Sequence, residues 1–173
     1  MVAAATNAGQ RPMNGPNSHC HDPRPHPGDV TWPNYLVART AGRILIGMIV
    51  GHGIDLCSVA RIRRMVADHG DHFLEWTFTQ AEVAYARRRK KGFEETLAGR
   101  FAAKEAVMKA LGTGWREGVT FPGIEILNGP GGRPYVVLHG GAAEKAAELG
   151  ITAWHLSITH TADFAAASAI AEC

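Results

Sequence analysis

Apolar positions along the chain fall into short runs whose spacing changes at one point. Up to residue 47, "NAGQRPMNGPNSHCHDPRPHPGD" shows no period of 2 or 3.6 over a useful length. Such a segment buries too little to offset its ordering entropy, so residues 1–47 are expected to be an irregular or disordered extension. From Met48 the pattern sharpens, and "MIVGHGI" reads as a short strand. Ser58 is placed to cap a helix "VARIRRMVADHG", with Val59, Ile62, Val66 and, beyond its end, Phe73 on the inner side and Gly70 as the stop. "TQAE", Thr79 to Glu82, is a capping-box pattern that opens a helix "QAEVAYARRRKK". A longer helix spans about Glu94 to Leu111 and stops at "GTG". "GIEILNG" and "RPYVVLHG" read as a hairpin joined by "GPGG". "GAAEKAAELG" reads as a short helix, and "AWHLSITH" alternates as a strand. "FAAASAIAE" fits both types: its alanines favour helix, while Phe164, Ala166, Ser168 and Ile170 permit a strand. Helices and strands intersperse without a βαβ rhythm, which predicts an α+β domain, mainly antiparallel, over residues 48–173.

Composition changes this picture little. Hydrophobic residues make up 46% and charged residues 20%, as in a folded domain, and the net charge of +2 names no partner. The three cysteines have no CxxC spacing, which fits a reducing cytosol rather than a disulfide framework or a zinc ribbon. His19, Cys20, His21 and His26 lack fixed metal-site spacing and read as a polar tail. The longest apolar run, "ILIGMIV", is seven residues, far below the roughly 20 a membrane helix needs. "MVAAATNAGQ" lacks the basic-then-apolar order of a signal peptide, so a cytoplasmic location and no membrane partner are expected. Met48 is itself a candidate translation start, which would exclude residues 1–47 from the natural protein.

One residue conflicts with its surroundings. On a wheel of about 100° per residue, Glu105 has Ala98 at roughly +20°, Phe101 at −40°, Ala102 at +60° and Met108 at −60°. A carboxylate amid small and apolar residues needs a partner. Lys109 at i+4 is one candidate and a metal ion is the other; the wheel does not choose. In "GHGID", Asp55 follows a strand and two glycines, which let the backbone turn and a ligand approach closely. It is either a metal ligand or a helix cap. Two carboxylates from separate elements suit Mg²⁺. Arg100 and Lys104 flank Glu105, and Gly112, Thr113 and Gly114 offer backbone donors, although no P-loop pattern is present. "SITHT" adds Ser157, Thr159, His160 and Thr161 at a strand end.

Together, "GHGIDLCSVARI", "LAGRFAAKEAVMKALGTG" and "HLSITHTADFAAASAIAE" resemble the holo-acyl-carrier-protein synthases, the small trimeric class of 4′-phosphopantetheinyl transferases. The resemblance covers nearly all of residues 48–173 and implies that family's fold, one unit per chain. It implies transfer of 4′-phosphopantetheine from coenzyme A to a serine of apo-acyl carrier protein in fatty acid biosynthesis. Asp55 and Glu105 are then the Mg²⁺ ligands, and Lys109 sits beside the pyrophosphate. Arg100, His160 and Thr161 help hold coenzyme A, and Gly112, Thr113 and Gly114 line its groove. The small residues around Glu105 leave room for that ligand. The resemblance also implies a homotrimer with active sites between subunits. Arg61 and Arg64 face an acidic carrier, which a basic helix steers and docks. His52 replaces an aliphatic residue of the family pattern, and Ser58 a frequent glutamate.

Two rival readings differ. The same chemistry on a secondary-metabolism carrier is less suited to a single unit. A nucleic-acid-binding module built on Arg61–Arg64 and Arg87–Lys91 lacks interleaved aromatics and leaves Asp55 and Glu105 unexplained.

Overall fold

The computed structural model describes residues 36–40, 43–89 and 92–173. The chain order is β1 (Leu36–Thr40), β2 (Arg43–Gly47), β3 (Ile49–Ser58), α1 (Val59–Thr77), α2 (Gln80–Arg88) and α3 (Phe93–Leu111). Then follow β4 (Ile124–Asn128), β5 (Pro134–Leu138), α4 (Gly141–Glu148), β6 (Ala153–His160) and β7 (Phe164–Glu172). Every strand pair is antiparallel: β1 with β2, β4 with β5, and a three-stranded sheet in the order β3-β7-β6. The α+β expectation holds.

Helix α3 forms the centre of the domain. Every residue from Leu97 to Leu111 is buried except Glu105 and Lys109. The alanines that suggested room for a ligand are instead covered by the sheet: Ala98, Ala102 and Ala106 are fully buried. Small residues on both sides explain the close fit. Strand β7 turns Ala165, Ala167, Ala169 and Ala171 inward, and β3 turns Gly51 and Gly53 against the helix. A Cβ on Gly53 would overlap the Ala106 carbonyl, and one on Gly51 the Ala110 carbonyl. The glycines therefore admit the helix rather than a ligand. Backbone atoms cannot yield as a side-chain tip does, so Gly53→Ala should cost about 3 kcal/mol or more. A thermal melt matching the wild type would contradict this packing.

Two segments depart from the sequence reading, and a third takes one of its two alternatives. Gly70 does not end α1: it takes φ 50°, ψ −131°, and the helix resumes to Thr77 beyond this kink. Glycine tolerates that conformation, and burial of Phe73 and Leu74 draws the second half back to the core. "FAAASAIAE" is strand β7, paired on both edges, where its alternate alanines fill the narrow space over α3. The expectation of irregular structure up to residue 47 is corrected at 36–40 and 43–47, which form β1 and β2. Val37, Ile44 and Ile46 carry the strand preference there. Residues 1–35, with the histidine-rich stretch, and Lys90 and Lys91 lie outside the described residues. Ser58 and Thr79 cap their helices as expected. Among the described residues, no helix is long and apolar enough to cross a membrane.

Candidate active site

Strand β3 runs across α3 with Gly51 at Ala110 and Gly53 at Ala106. Two strand residues advance about 6.6 Å and four helical residues about 6 Å, so the two elements stay in step. The next inward position on β3 is Asp55, one helical turn further along. It arrives beside the only part of Leu97–Leu111 open to solvent, the stripe of Glu105 and Lys109.

Lys109 turns to the strand. Its Nζ donates to Asp55 Oδ1 at 2.8 Å and to the Ile54 carbonyl at 2.8 Å. The alternative pairing, Lys109 with Glu105, does not form. Glu105 is half-buried and has no hydrogen bond or ion pair among the described residues. The Cys57 thiol lies within the field of both acids. Burial pushes it up to about 11; Arg61 opposes that, and Asp55 and Glu105 add to it. This buried thiol is therefore an inert core group rather than a nucleophile. Asp55 on β3 and Glu105 on α3 thus lie on either side of Lys109: Asp55 accepts from its Nζ, and Glu105 stands one helical turn before it. No cluster of three or more metal-ligating side chains occurs among the described residues. Two carboxylates are nevertheless what Mg²⁺ commonly takes from a protein, with water and phosphate completing its shell.

Lys104 is not part of this site. Its Nζ is fully buried, 2.8 Å from Glu82 Oε2, and donates to the Phe121 carbonyl at 2.8 Å and to that of Ile124. Burial lowers its pKa, and Glu82 offsets this only in part. Glu82 also accepts from the backbone N–H of Thr79 at 2.8 Å and of Ile126 at 3.0 Å. The capping-box glutamate therefore ties α2, α3 and β4 together. The sequence shows its first bond, to the N-cap; nothing local shows the others.

Arg100 and His160 do come together, in a cleft between α2, α3, the β4–β5 hairpin and β6. Arg100 is buried, donates to Asn128 Oδ1 at 2.6 Å, and stacks over Tyr85 at 4.3 Å. Burial lowers its pKa. Its Nε has no partner, and Arg89 adds a second guanidinium to the cleft. Tyr85 and Asn128 were not found from sequence, because their elements meet only in the fold; Arg89 belongs to the basic run Arg87–Lys91.

Gly112 ends α3 at φ 75° and Gly114 lies at φ 57°, both exposed, with buried Thr113 between them. The Thr161 hydroxyl accepts from the backbone N–H groups of Asp163 (3.3 Å) and Phe164 (3.2 Å), so it organises the β6–β7 turn. Arg61, Arg63 and Arg64 are exposed on α1, and Arg61 lies over the Phe101 ring at 5.3 Å. His52 is exposed, 3.2 Å from Ser168 Oγ.

The family model of the 4′-phosphopantetheinyl transferase superfamily matches residues 51–168. The chain belongs to this superfamily. A holo-[acyl-carrier-protein] synthase of Solibacter usitatus is 49% identical over 125 residues, which is 72% of this chain and 99% of that one. One of Desulforudis audaxviator is 51% identical over 124 residues, covering 72% and 93%. Among solved structures, the holo-[acyl-carrier-protein] synthase of Neisseria meningitidis is similar with a TM-score of 0.67 at 35% identity, over 73% of this chain and all of that one. The Helicobacter pylori synthase, solved in complex with coenzyme A, gives 0.61 at 32% identity over 69% and 98%. The superfamily's match spans β3 to β7 and so includes Asp55, Glu105, Lys109, Arg100 and His160.

Proposed function

We propose that the chain is a holo-[acyl-carrier-protein] synthase that moves 4′-phosphopantetheine from coenzyme A to a serine of apo-acyl carrier protein, releasing adenosine 3′,5′-bisphosphate. The observation that carries this is the open stripe within Leu97–Leu111, where Lys109 is bonded to Asp55 one helical turn from Glu105. The relatives' names and the coenzyme A complex of the H. pylori synthase support it.

The donor set fits Mg²⁺, held by Asp55 and Glu105, because both are hard oxygen ligands and Glu105 has no competing partner. Bound there, Mg²⁺ supplies positive charge to the pyrophosphate. The carboxylate of Glu105 takes the proton of the carrier serine. The serine oxygen bonds to the phosphorus bearing pantetheine, and that phosphorus parts from the oxygen of the adenosine-side phosphate. Lys109, anchored by Asp55, meets the negative charge gathering on that leaving oxygen. Arg100 and His160 hold coenzyme A at its phosphates, and Gly112, Thr113 and Gly114 border its path.

The His160 side chain is exposed and has no hydrogen bond among the described residues. His160→Ala should therefore keep the melting temperature and raise KM for coenzyme A about tenfold or more. An unchanged KM would remove His160 from the site. The transfer itself is tested with coenzyme A labelled in its pantetheine half. Label should appear on the carrier serine and be absent from the adenosine bisphosphate. No label on any apo-carrier would defeat the reading.

The fatty-acid carrier is the favoured acceptor because each chain holds one such unit, and the reaction is assigned to the cytoplasm. Residues 48–173 form the transferase domain, which accords with the family match over 51–168. The assembly is a homotrimer. The outer sheet face leaves Ile54, Leu56 and Phe164 exposed, as a face covered by a second copy would. Arg100 is turned about 140° around α3 from Glu105, which favours a coenzyme A bridging two protomers.

A further inference from the structure

Three elements meet beneath the cleft of Arg100 and His160, and each brings two residues there. Glu82 on α2 and Lys104 on α3 are fully buried and paired at 2.8 Å. Both also hold β4 and the residues leading into it. Lys104 donates to the Phe121 and Ile124 carbonyls, and Glu82 Oε1 accepts from the Ile126 N–H at 3.0 Å. One step along each element stands a residue that lines the cleft. Tyr85 follows Glu82 by three residues on α2, Arg100 precedes Lys104 by four on α3, and Asn128 follows Ile126 by two on β4. These spacings keep each pair on one face of its element, about 4.5–7 Å apart along it. The outer three touch, as the inner three do. Arg100 stacks over Tyr85 at 4.3 Å and donates to Asn128 Oδ1 at 2.6 Å, while Asn128 Nδ2 donates to the Gly132 carbonyl at 2.9 Å. Burial lowers the Arg100 pKa, and Glu82 is the foremost charge opposing that, so the two layers are also joined electrostatically.

We propose that Glu82 and Lys104 are positioning residues for coenzyme A: the buried pair sets the register of α2, α3 and β4, and through it the spacing of Tyr85, Arg100 and Asn128. The inference rests on the transferase activity proposed above. Stability alone does not call for the pair, because apolar side chains of similar volume hold a core as well as a buried ion pair does. Apolar contact has no direction, however, and lets packed elements slide. The ion pair and its three bonds to the backbone around β4 are satisfied in one register only. Arg100 is 5% exposed, so its guanidinium cannot swing to follow a displaced ligand. A slip of β4 would move Asn128 and turn the Arg100 fork with it. The other half of the site is insulated from such a slip. Asp55 and Lys109 are set by β3, whose Gly51 and Gly53 lie against the α3 backbone. Loss of the pair should therefore appear in coenzyme A binding rather than in turnover.

The test uses Glu82→Gln/Lys104→Met, which removes both charges together. Its KM for coenzyme A should rise about tenfold, the scale of misaligned hydrogen bonds to charged groups, with turnover and KM for the apo-carrier within about threefold. Asn128→Ala should raise KM for coenzyme A in the wild type and by a smaller factor in the double variant, where Asn128 is already displaced. A role confined to stability would change the melting temperature and leave KM for coenzyme A as it was. That result overturns the proposal, as does an equal effect of Asn128→Ala in both backgrounds. If the double variant does not fold, hydrogen exchange of the wild type decides. The Thr79 and Ile126 amides bond to Glu82 and do not line the cleft. Coenzyme A should slow their exchange by a larger factor than that of the other core amides, because coupling between cleft and pair is reciprocal. Uniform slowing overturns the proposal. A wild type that modifies no carrier would instead defeat the transferase reading itself.

Discussion

Glu105→Gln should lower turnover at least about a thousandfold while the protein melts at or above its wild-type temperature. A thousandfold corresponds to about 4 kcal/mol of lost transition-state stabilisation, the scale of removing a metal ligand and proton acceptor at once. The stability half of the prediction follows from geometry. Glu105 is half-buried with no hydrogen bond or ion pair among the described residues, so the amide substitution breaks nothing. Removing an unpartnered, partly desolvated charge is neutral or favourable to folding. Lys109 keeps its bonds to Asp55 and to the Ile54 carbonyl. Steady-state kinetics with a thermal melt check both halves. A variant that unfolds, or one that retains turnover, removes Glu105 from the role assigned to it.

Glu82→Gln should do the opposite, damaging the fold first. It leaves the Lys104 ammonium buried without its counter-charge, 2.8 Å from where a carboxylate stood. Removing one partner of a buried pair costs about 3–5 kcal/mol. In a domain of this size that is a fall of roughly 6–20 °C in melting temperature. The double variant Glu82→Gln/Lys104→Met should recover most of the loss, because it removes both charges together. Calorimetry of the two variants decides. A melting temperature unmoved in Glu82→Gln would mean that Lys104 is not held as a buried cation.

These two glutamates also show what was legible in the sequence. Glu105 conflicts with its neighbours within one helix, so a wheel reveals it, and the GHGID and AAKEA motifs supply Asp55 as its companion. The partner of Lys109 was not legible: an i+4 carboxylate and one from β3 compete, and the strand's approach along Gly51 and Gly53 decides. Lys104 flanks Glu105 in sequence but not in the fold. One residue is about 100° of rotation on a helix, and that turn sends it to the opposite interior. The strand β7 stayed ambiguous because alternate alanines satisfy both periods, and only the narrow gap over α3 requires a strand there. Gly70 looked like a terminus, yet core burial of Phe73 and Leu74 outweighs the break. The Arg100–His160 cleft was legible only through family resemblance, since its walls come from four separate elements.

The most direct test of the central claim, that Asp55, Glu105 and Lys109 form a metal-dependent phosphopantetheinyl transfer site, is the intact mass of apo-acyl carrier protein after incubation with this protein, coenzyme A and Mg²⁺. The mass should rise by one phosphopantetheine per carrier. A chelator should abolish the gain, added Mg²⁺ should restore it, and Glu105→Gln should not support it. An unmodified carrier mass, or a gain undiminished by the chelator and by Glu105→Gln, would contradict the account.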